Sequence, residues 1–221
     1  MARLPRLTLP GHAHWVIQRG HGGSRVFADE ADRVAYRAAL REAAATEQVQ
    51  VHALALLDTE VQLLLRPGTA TGLSRVMQAV GRRYVSAHHR RHGGSGTLWE
   101  GRFRCALVEA GATLLEVLCL IDGQPAETDA TSLAHRAAGT ADTLLTNPAE
   151  YWQLGNTPFD RQAAWRRRVA EGVPSQRADA WRRAALGGWV VGSAGFSAQV
   201  TAQAARPATP RPRGRPRQQT T

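Results

Sequence analysis

Hydrophobic and polar positions change period along the chain, and the changes mark out its elements. His14 to Arg19 is rich in strand-forming residues and stops at Gly20, with Gly22-Gly23-Ser24 behind it as a loop, which predicts a strand. From Asp29 the chain turns alanine-rich, with Val34, Leu40 and Ala43 at helical spacings and Asp29 placed to cap, so a helix should run to about Glu47. Val49 to Leu57 alternates and then becomes wholly apolar, Asp58-Thr59 punctuates it, and Val61 to Leu65 is apolar again before Arg66-Pro67-Gly68. Two neighbouring strands joined by a short turn follow from that pattern. Between Leu73 and Arg91, Leu73, Val76, Met77, Val80, Tyr84 and Val85 share a helical stripe while arginines take the other faces. After the Gly93 to Gly96 loop, Phe103 to Glu109 has strand character, and Ala112 to Ile121 is apolar and helical until Gly123 and Pro125 stop it.

The order β-α-β-β-α-β-α predicts an α+β fold, a ferredoxin-like core with an antiparallel sheet and its helices packed on one face. We expect residues 1–127 to form this core domain and the Ala/Thr-rich residues 128–149 to be a linker. Residues 150–205, with Trp152, Trp165, Trp181 and Trp189, read as a small helical subdomain. Residues 206–221 lack an apolar anchor and read as a disordered basic tail.

Composition narrows the partner. The 221 residues are 43% hydrophobic, enough for one sizeable core, and carry a formal net charge of +10 with every basic side chain except histidine an arginine. Such a field favours a polyanion, with nucleic acid ahead of an acidic membrane surface, because no helix sets a basic face against a strongly apolar one. No apolar run approaches the roughly 18 uncharged residues of a membrane span. The N-terminal segment lacks the apolar stretch and cleavage site of a signal peptide, so a cytoplasmic, nucleoid-associated protein is expected, with no membrane partner. Cys105 and Cys119 are too far apart for a redox motif and too few for a zinc site, which leaves core packing.

Several segments together resemble the REP-associated tyrosine transposases, a branch of the HUH single-strand DNA transposases. Pro10-Gly11-His12 followed by Val16-Ile17-Gln18-Arg19-Gly20 is similar to that family's first strand, and Val26-Phe27 with Asp29 to the start of its first helix. Most specific is Leu73 to Val85, which contains Gly81-Arg82-Arg83-Tyr84-Val85, running on to Gly96-Thr97-Leu98-Trp99-Glu100-Gly101-Arg102-Phe103. Tyr151 to Phe159 and the Arg-Gly-Arg-Pro tail are similar to the longer members.

The resemblance implies a catalytic plan that this sequence departs from. In the family, two histidines flanking one hydrophobic residue on a strand bind a metal ion, since residues i and i+2 point to the same face. The matching triplet here is Glu60-Val61-Gln62. The family's nucleophilic tyrosine, which attacks a DNA phosphate, lies in a Tyr-Ile-x-x-Asn/Gln-Pro pattern; here that reads Leu120-Ile121-Asp122-Gly123-Gln124-Pro125. Leu120 has no nucleophilic atom. Glu60, Gln62 and Gln124 keep oxygens at the metal-ligand positions, and hard oxygen donors suit Mg²⁺ or Mn²⁺, although one carboxylate and two amides make a weak set. The competing reading is a polar strand face.

Other residues invite a role. Tyr84, a conceivable substitute nucleophile, falls on the apolar side of its helix and reads as core. The His88-His89-Arg90-Arg91-His92 cluster suggests metal, yet its arginines would repel a cation, so a phosphate-facing surface fits better. Arg82, Arg83, Arg90 and Arg91, with Arg102 and Arg104 after Trp99, form a basic run that reads as a phosphate-contacting surface, Trp99 being either a base-stacking platform or core. A merely solvated charged face is the plain alternative. Pro212-Arg213-Gly214-Arg215-Pro216 resembles an AT-hook, in which Arg213 and Arg215 would enter an A·T-rich minor groove, against the alternative of a solubilising tail. The reading that results is a protein of transposase descent that binds single-stranded or hairpin DNA but is impaired in cleavage. Two alternatives stand beside it: a metal-dependent nuclease using water and Glu60, and a decaying copy without function. No interface signal indicates an oligomeric state.

Overall fold

The computed structural model describes residues 5–125, 130–204 and 206–210. Four strands form one sheet: β1 (Ala13–Arg19), β2 (Val49–Leu57), β3 (Glu60–Pro67) and β4 (Arg104–Val108). Their order is β2-β3-β1-β4 and every neighbouring pair is antiparallel. Between them lie α1 (Glu30–Thr46) and α2 (Gly72–His92), and α3 (Ala112–Asp122) follows β4. This is the expected α+β, ferredoxin-like order. Asp29 caps α1, its carboxylate accepting the Asp32 amide at 3.1 Å. Val34 shares the helical spacing but points to solvent; Tyr36, Leu40 and Ala43 make the buried stripe.

Strand alternation sends Val16, Leu54, Leu56, Val61, Leu63 and Leu65 to one face, where they pack with α1 and α2. Trp15, Ile17, Ala53, Ala55 and Leu64 go to the other face. That second face is covered too, by α3, α6 (Pro158–Glu171) and α7 (Ser175–Gly187), so the helices are not confined to one side as expected. The reason is compositional: β1 and β3 are apolar at almost every position, and a sheet apolar on both faces must be covered on both.

The downstream helices are short. After α4 (Leu133–Ala137) and α5 (Ala149–Trp152), α6 opens on a capping box of Thr157 and Asp160 with Pro158 in its first turn. At the end of α7, Gly188 takes the left-handed conformation that a side chain would resist. The last helix is α8 (Ala194–Gln203). A buried polar knot ties this region to the sheet. Arg136 of α4, fully buried, donates to both Asp122 oxygens at 2.5 and 2.7 Å and to the His52 carbonyl at 2.7 Å. Trp165 of α6 donates to Asp122 as well, at 2.9 Å.

Both outer edges of the sheet are closed by downstream residues, β2 also by Thr131, which bridges Ala55. Val191 lies parallel to β4, its amide bonded to the Leu107 carbonyl at 2.8 Å and its carbonyl to the Glu109 amide at 2.9 Å. Leu145 lies beside Val51 of β2, whose carbonyl accepts the Thr146 amide at 2.8 Å.

Candidate functional site

Glu60 and Gln62, two residues apart on β3, face α3 together, as strand alternation requires. On α3 and just beyond it, Leu120 and Gln124 sit one helical turn apart. Glu60, Leu120 and Gln124 line one cavity of about 350 Å³, together with Trp15, Leu57, Thr59 and the α7 residues Ala178, Asp179 and Arg182. The positions that the sequence singled out therefore converge, with Gln62 packed directly behind.

What those groups are bonded to decides their chemistry. Glu60 is nearly buried and meets two guanidinium groups: Arg182 at 2.7 and 3.0 Å, and Arg19, its register partner on β1, at 3.1 Å. Gln62 is fully buried, donates to Glu60 at 2.9 Å and accepts the Trp15 indole N–H at 3.2 Å. Gln124 donates to the Leu120 carbonyl at 2.8 Å. One carboxylate already shared by two arginines, beside a buried and bonded amide, is a poor donor set for Mg²⁺ or Mn²⁺, which need several free hard oxygens. The residues do not fit that ion. Leu120 adds only hydrocarbon to the cavity wall.

Arg19 connects this cavity to a basic margin along β4. Arg19, Arg102, Arg104 and Glu100 line a hollow of about 100 Å³. Arg102 and Arg104 also line a neighbouring hollow of about 160 Å³ with Arg6, Phe103, Cys105 and Arg206. The Arg6 guanidinium lies 3.7 Å from the Phe103 ring centroid. Burial, with Arg102 and Arg104 nearby, holds Arg6 below the usual arginine pKa. Arg206 is lowered by burial as well, and donates to the Pro5 carbonyl at 2.9 Å. Guanidinium groups gathered with so few carboxylates give this margin a positive field.

The arginines of α2 lie elsewhere and are partly engaged. Arg83 pairs with Glu42 at 2.7 Å, Arg91 with Asp29 at 2.9 Å and with Asp32, and Arg90 donates to Ser86 at 3.1 Å. Among the described residues Arg82 makes no ion pair. Trp99 takes the core alternative: it is 6% exposed and its ring centroid lies 6.1 Å from that of Tyr84 and 6.3 Å from that of Tyr36. Tyr84 is core too, its hydroxyl donating to the Val26 carbonyl and its pKa raised, first by burial and then by the charge of Asp32. Cys105 and Cys119 are buried free thiols, each pushed up to about 11 by burial. The exposed large aromatics are Trp152 and Phe159, with the Arg161 guanidinium 4.8 Å from the Trp152 ring centroid. Arg213 and Arg215 lie outside the described residues.

Sequence reading missed Arg6, Arg19, Arg182 and Arg206. Arg19 had a signal, ending a strand on the same face as Trp15 and Ile17. Arg182 and Arg206 had none, because their partners lie far away in the chain.

A structure of a REP-associated tyrosine transposase bound to a REP hairpin superposes with a TM-score of 0.53, covering 67% of this chain and 93% of that one at 12% identity. The chain shares the fold of that transposase. A candidate transposase of Deinococcus radiodurans, 22% identical over 57% of this chain and 100% of its own, has a TM-score of 0.38, too distant to bear on the fold. No family profile and no curated protein matches the sequence. Among the described residues no helix is long and apolar enough to cross a membrane.

Proposed function

We propose that this chain is a DNA-binding relative of the REP-associated tyrosine transposases that holds single-stranded or hairpin DNA without completing strand cleavage by itself. The observation that carries the reading is the pairing of Glu60 with Arg19 and Arg182 in a cavity where Leu120 stands at the nucleophile position. Where the family plan calls for a metal ion and a tyrosine, this cavity offers two guanidinium groups and an alkyl side chain. Those guanidiniums, with Arg102 and Arg104 along β4, attract phosphates, whereas no tyrosine lines the cavity to attack one. The shared fold supports the descent, and the REP hairpin bound to the structural neighbour supports hairpin DNA as the ligand class. Arg213 and Arg215 would add contacts in an A·T-rich minor groove.

The test is incubation with end-labelled, hairpin-bearing single-stranded DNA in Mg²⁺ or Mn²⁺. We expect binding that weakens steeply as salt rises, no protein–DNA adduct and no new ends. A covalent adduct overturns the reading. Hydrolysed ends that vanish with Glu60→Ala would instead establish a nuclease that uses water. A chain that neither unfolds cooperatively nor binds DNA would be a decayed copy.

A further inference from the structure

On the far side of the sheet from the Glu60 cavity, the last turns of α2 meet the first turn of α1, and three metal-ligand side chains converge there. One ligand atom each from Asp32, His88 and His92 lies within 4.8 Å of the others. We propose that Asp32, His88 and His92 form a binding site for a transition-metal dication of the zinc class, fastening the end of α2 to the start of α1.

The geometry follows from the helices. His88 and His92 are four residues apart, so their rings sit one above the other on one face of α2, with centroids 4.7 Å apart. Across from them, Asp32 is almost completely buried, one of its oxygens accepting the Ala28 amide at 2.9 Å. His92 Nε2 already lies 2.9 and 3.0 Å from the two Asp32 oxygens. A simple Asp32–His92 ion pair would account for those distances, but not for His88, whose Nδ1 is buried with no hydrogen-bond partner. An imidazole nitrogen in that position is either uncompensated or a ligand.

Metal bonds of about 2.0–2.2 Å to nitrogen and oxygen would require only small rotations of groups already this close, and leave a fourth position for water. Two imidazoles and one carboxylate suit zinc and its transition-metal neighbours, whereas Mg²⁺ prefers oxygen alone. Arg91 is the competing cation, since it contacts Asp32, yet it also holds Asp29 at 2.9 Å and can remain there when Asp32 turns to an ion. The cationic end of this arrangement is favoured by the C-terminal dipole of α2. The Gly93 to Gly96 loop leaves from this point toward Trp99, Arg102 and Arg104, and His89 holds the Gly96 carbonyl at 3.3 Å. A bound ion would thus fix the departure of the segment that carries part of the basic margin.

The experiment titrates chelator-stripped full-length protein with Co²⁺, read by its visible absorption bands, and then displaces it with Zn²⁺. We expect one equivalent to bind and Zn²⁺ to raise the melting temperature. The double variant His88→Gln/His92→Gln, with unchanged circular dichroism, should bind roughly tenfold more weakly or worse, while Glu60→Gln keeps the wild-type affinity. If the double variant fails to fold, His92→Gln alone, altering a partly exposed ring, should show the same loss. The proposal is overturned if wild type takes up neither metal at millimolar concentration, if the histidine variants bind as wild type does, or if Glu60→Gln abolishes uptake.

Discussion

The two faces of the sheet are held by different physics. On the α1/α2 side the contact is apolar from Val16, Leu54, Leu63 and Tyr36 to Met77 and Val80, the buried Asp32 and Arg33 of α1 apart. On the α3/α6/α7 side the apolar cluster surrounds buried polar groups: Gln62, Glu60, Asp122 and Arg136. Stability on the first side scales with area removed from water and tolerates change in proportion to it. On the second it depends on complete pairing, so the loss of one partner leaves another stranded in a low-dielectric interior.

The sharpest way to break that contrast is Arg136→Leu. Asp122 would keep Ser132 and Trp165 but lose its counter-charge, and we expect a loss of about 3–5 kcal/mol in guanidinium unfolding. A loss no larger than that of a surface pair, about 1 kcal/mol, would place the two faces on one footing. On the apolar side, Leu40→Ala should cost about 3 kcal/mol, set by the size of the cavity left behind.

Acid should reveal a third effect. Burial lowers His14 and His52 to about 4, outweighing their bonds to the His12 and Thr146 carbonyls. Both are neutral in the folded chain, while the unfolded chain takes up protons below the usual histidine pKa of roughly 6.5. The unfolded state therefore binds more protons between about pH 6.5 and 4, and stability falls as pH drops through that window, by roughly 3 kcal/mol for each histidine. Chemical unfolding from pH 7 down to pH 4 measures it. His52→Gln should flatten part of the slope.

The smallest change in stability and the most direct for function is Glu60→Gln. Arg19 and Arg182 are both well exposed, so the ion pairs contribute at most about 1 kcal/mol. Removing the negative charge frees both guanidiniums for phosphate, and we expect tighter binding to hairpin DNA with a steeper salt dependence. Weaker binding would mean that Glu60 itself serves the DNA contact.

The same contrast governs what could be read from the sequence. β2 was legible at both ends because alternation and a turn bounded it, and α1 because Asp29 announced its cap. Glu60 and Gln62 could be assigned to a common face from their spacing alone. Their engagement could not: Arg182 reaches Glu60 from 122 residues downstream, and one arginine among many carries no mark of its partner. The covering of the second face escaped for a related reason. Trp15, Ile17 and Leu64 announced an apolar surface, but the stretch that covers them reads locally as a separate helical segment. Trp99 sits between arginine-bearing stretches and has the look of a base platform, yet its ring packs against Tyr36 and Tyr84.

The placement of Leu145 and Val191 against the two margins of the sheet has a consequence for how the protein is made. All four strands are synthesised before either residue. For a period on the order of seconds, the emerging chain carries strands whose outer backbone groups lack part of their pairing and whose Trp15 face lacks α6 and α7. That interval, more than any property of the finished molecule, is when copies should stick to one another or need a chaperone. Ribosome-bound chains stalled before Leu145 should be the most aggregation-prone, those released after Val191 the least. The strands are written first and sealed last.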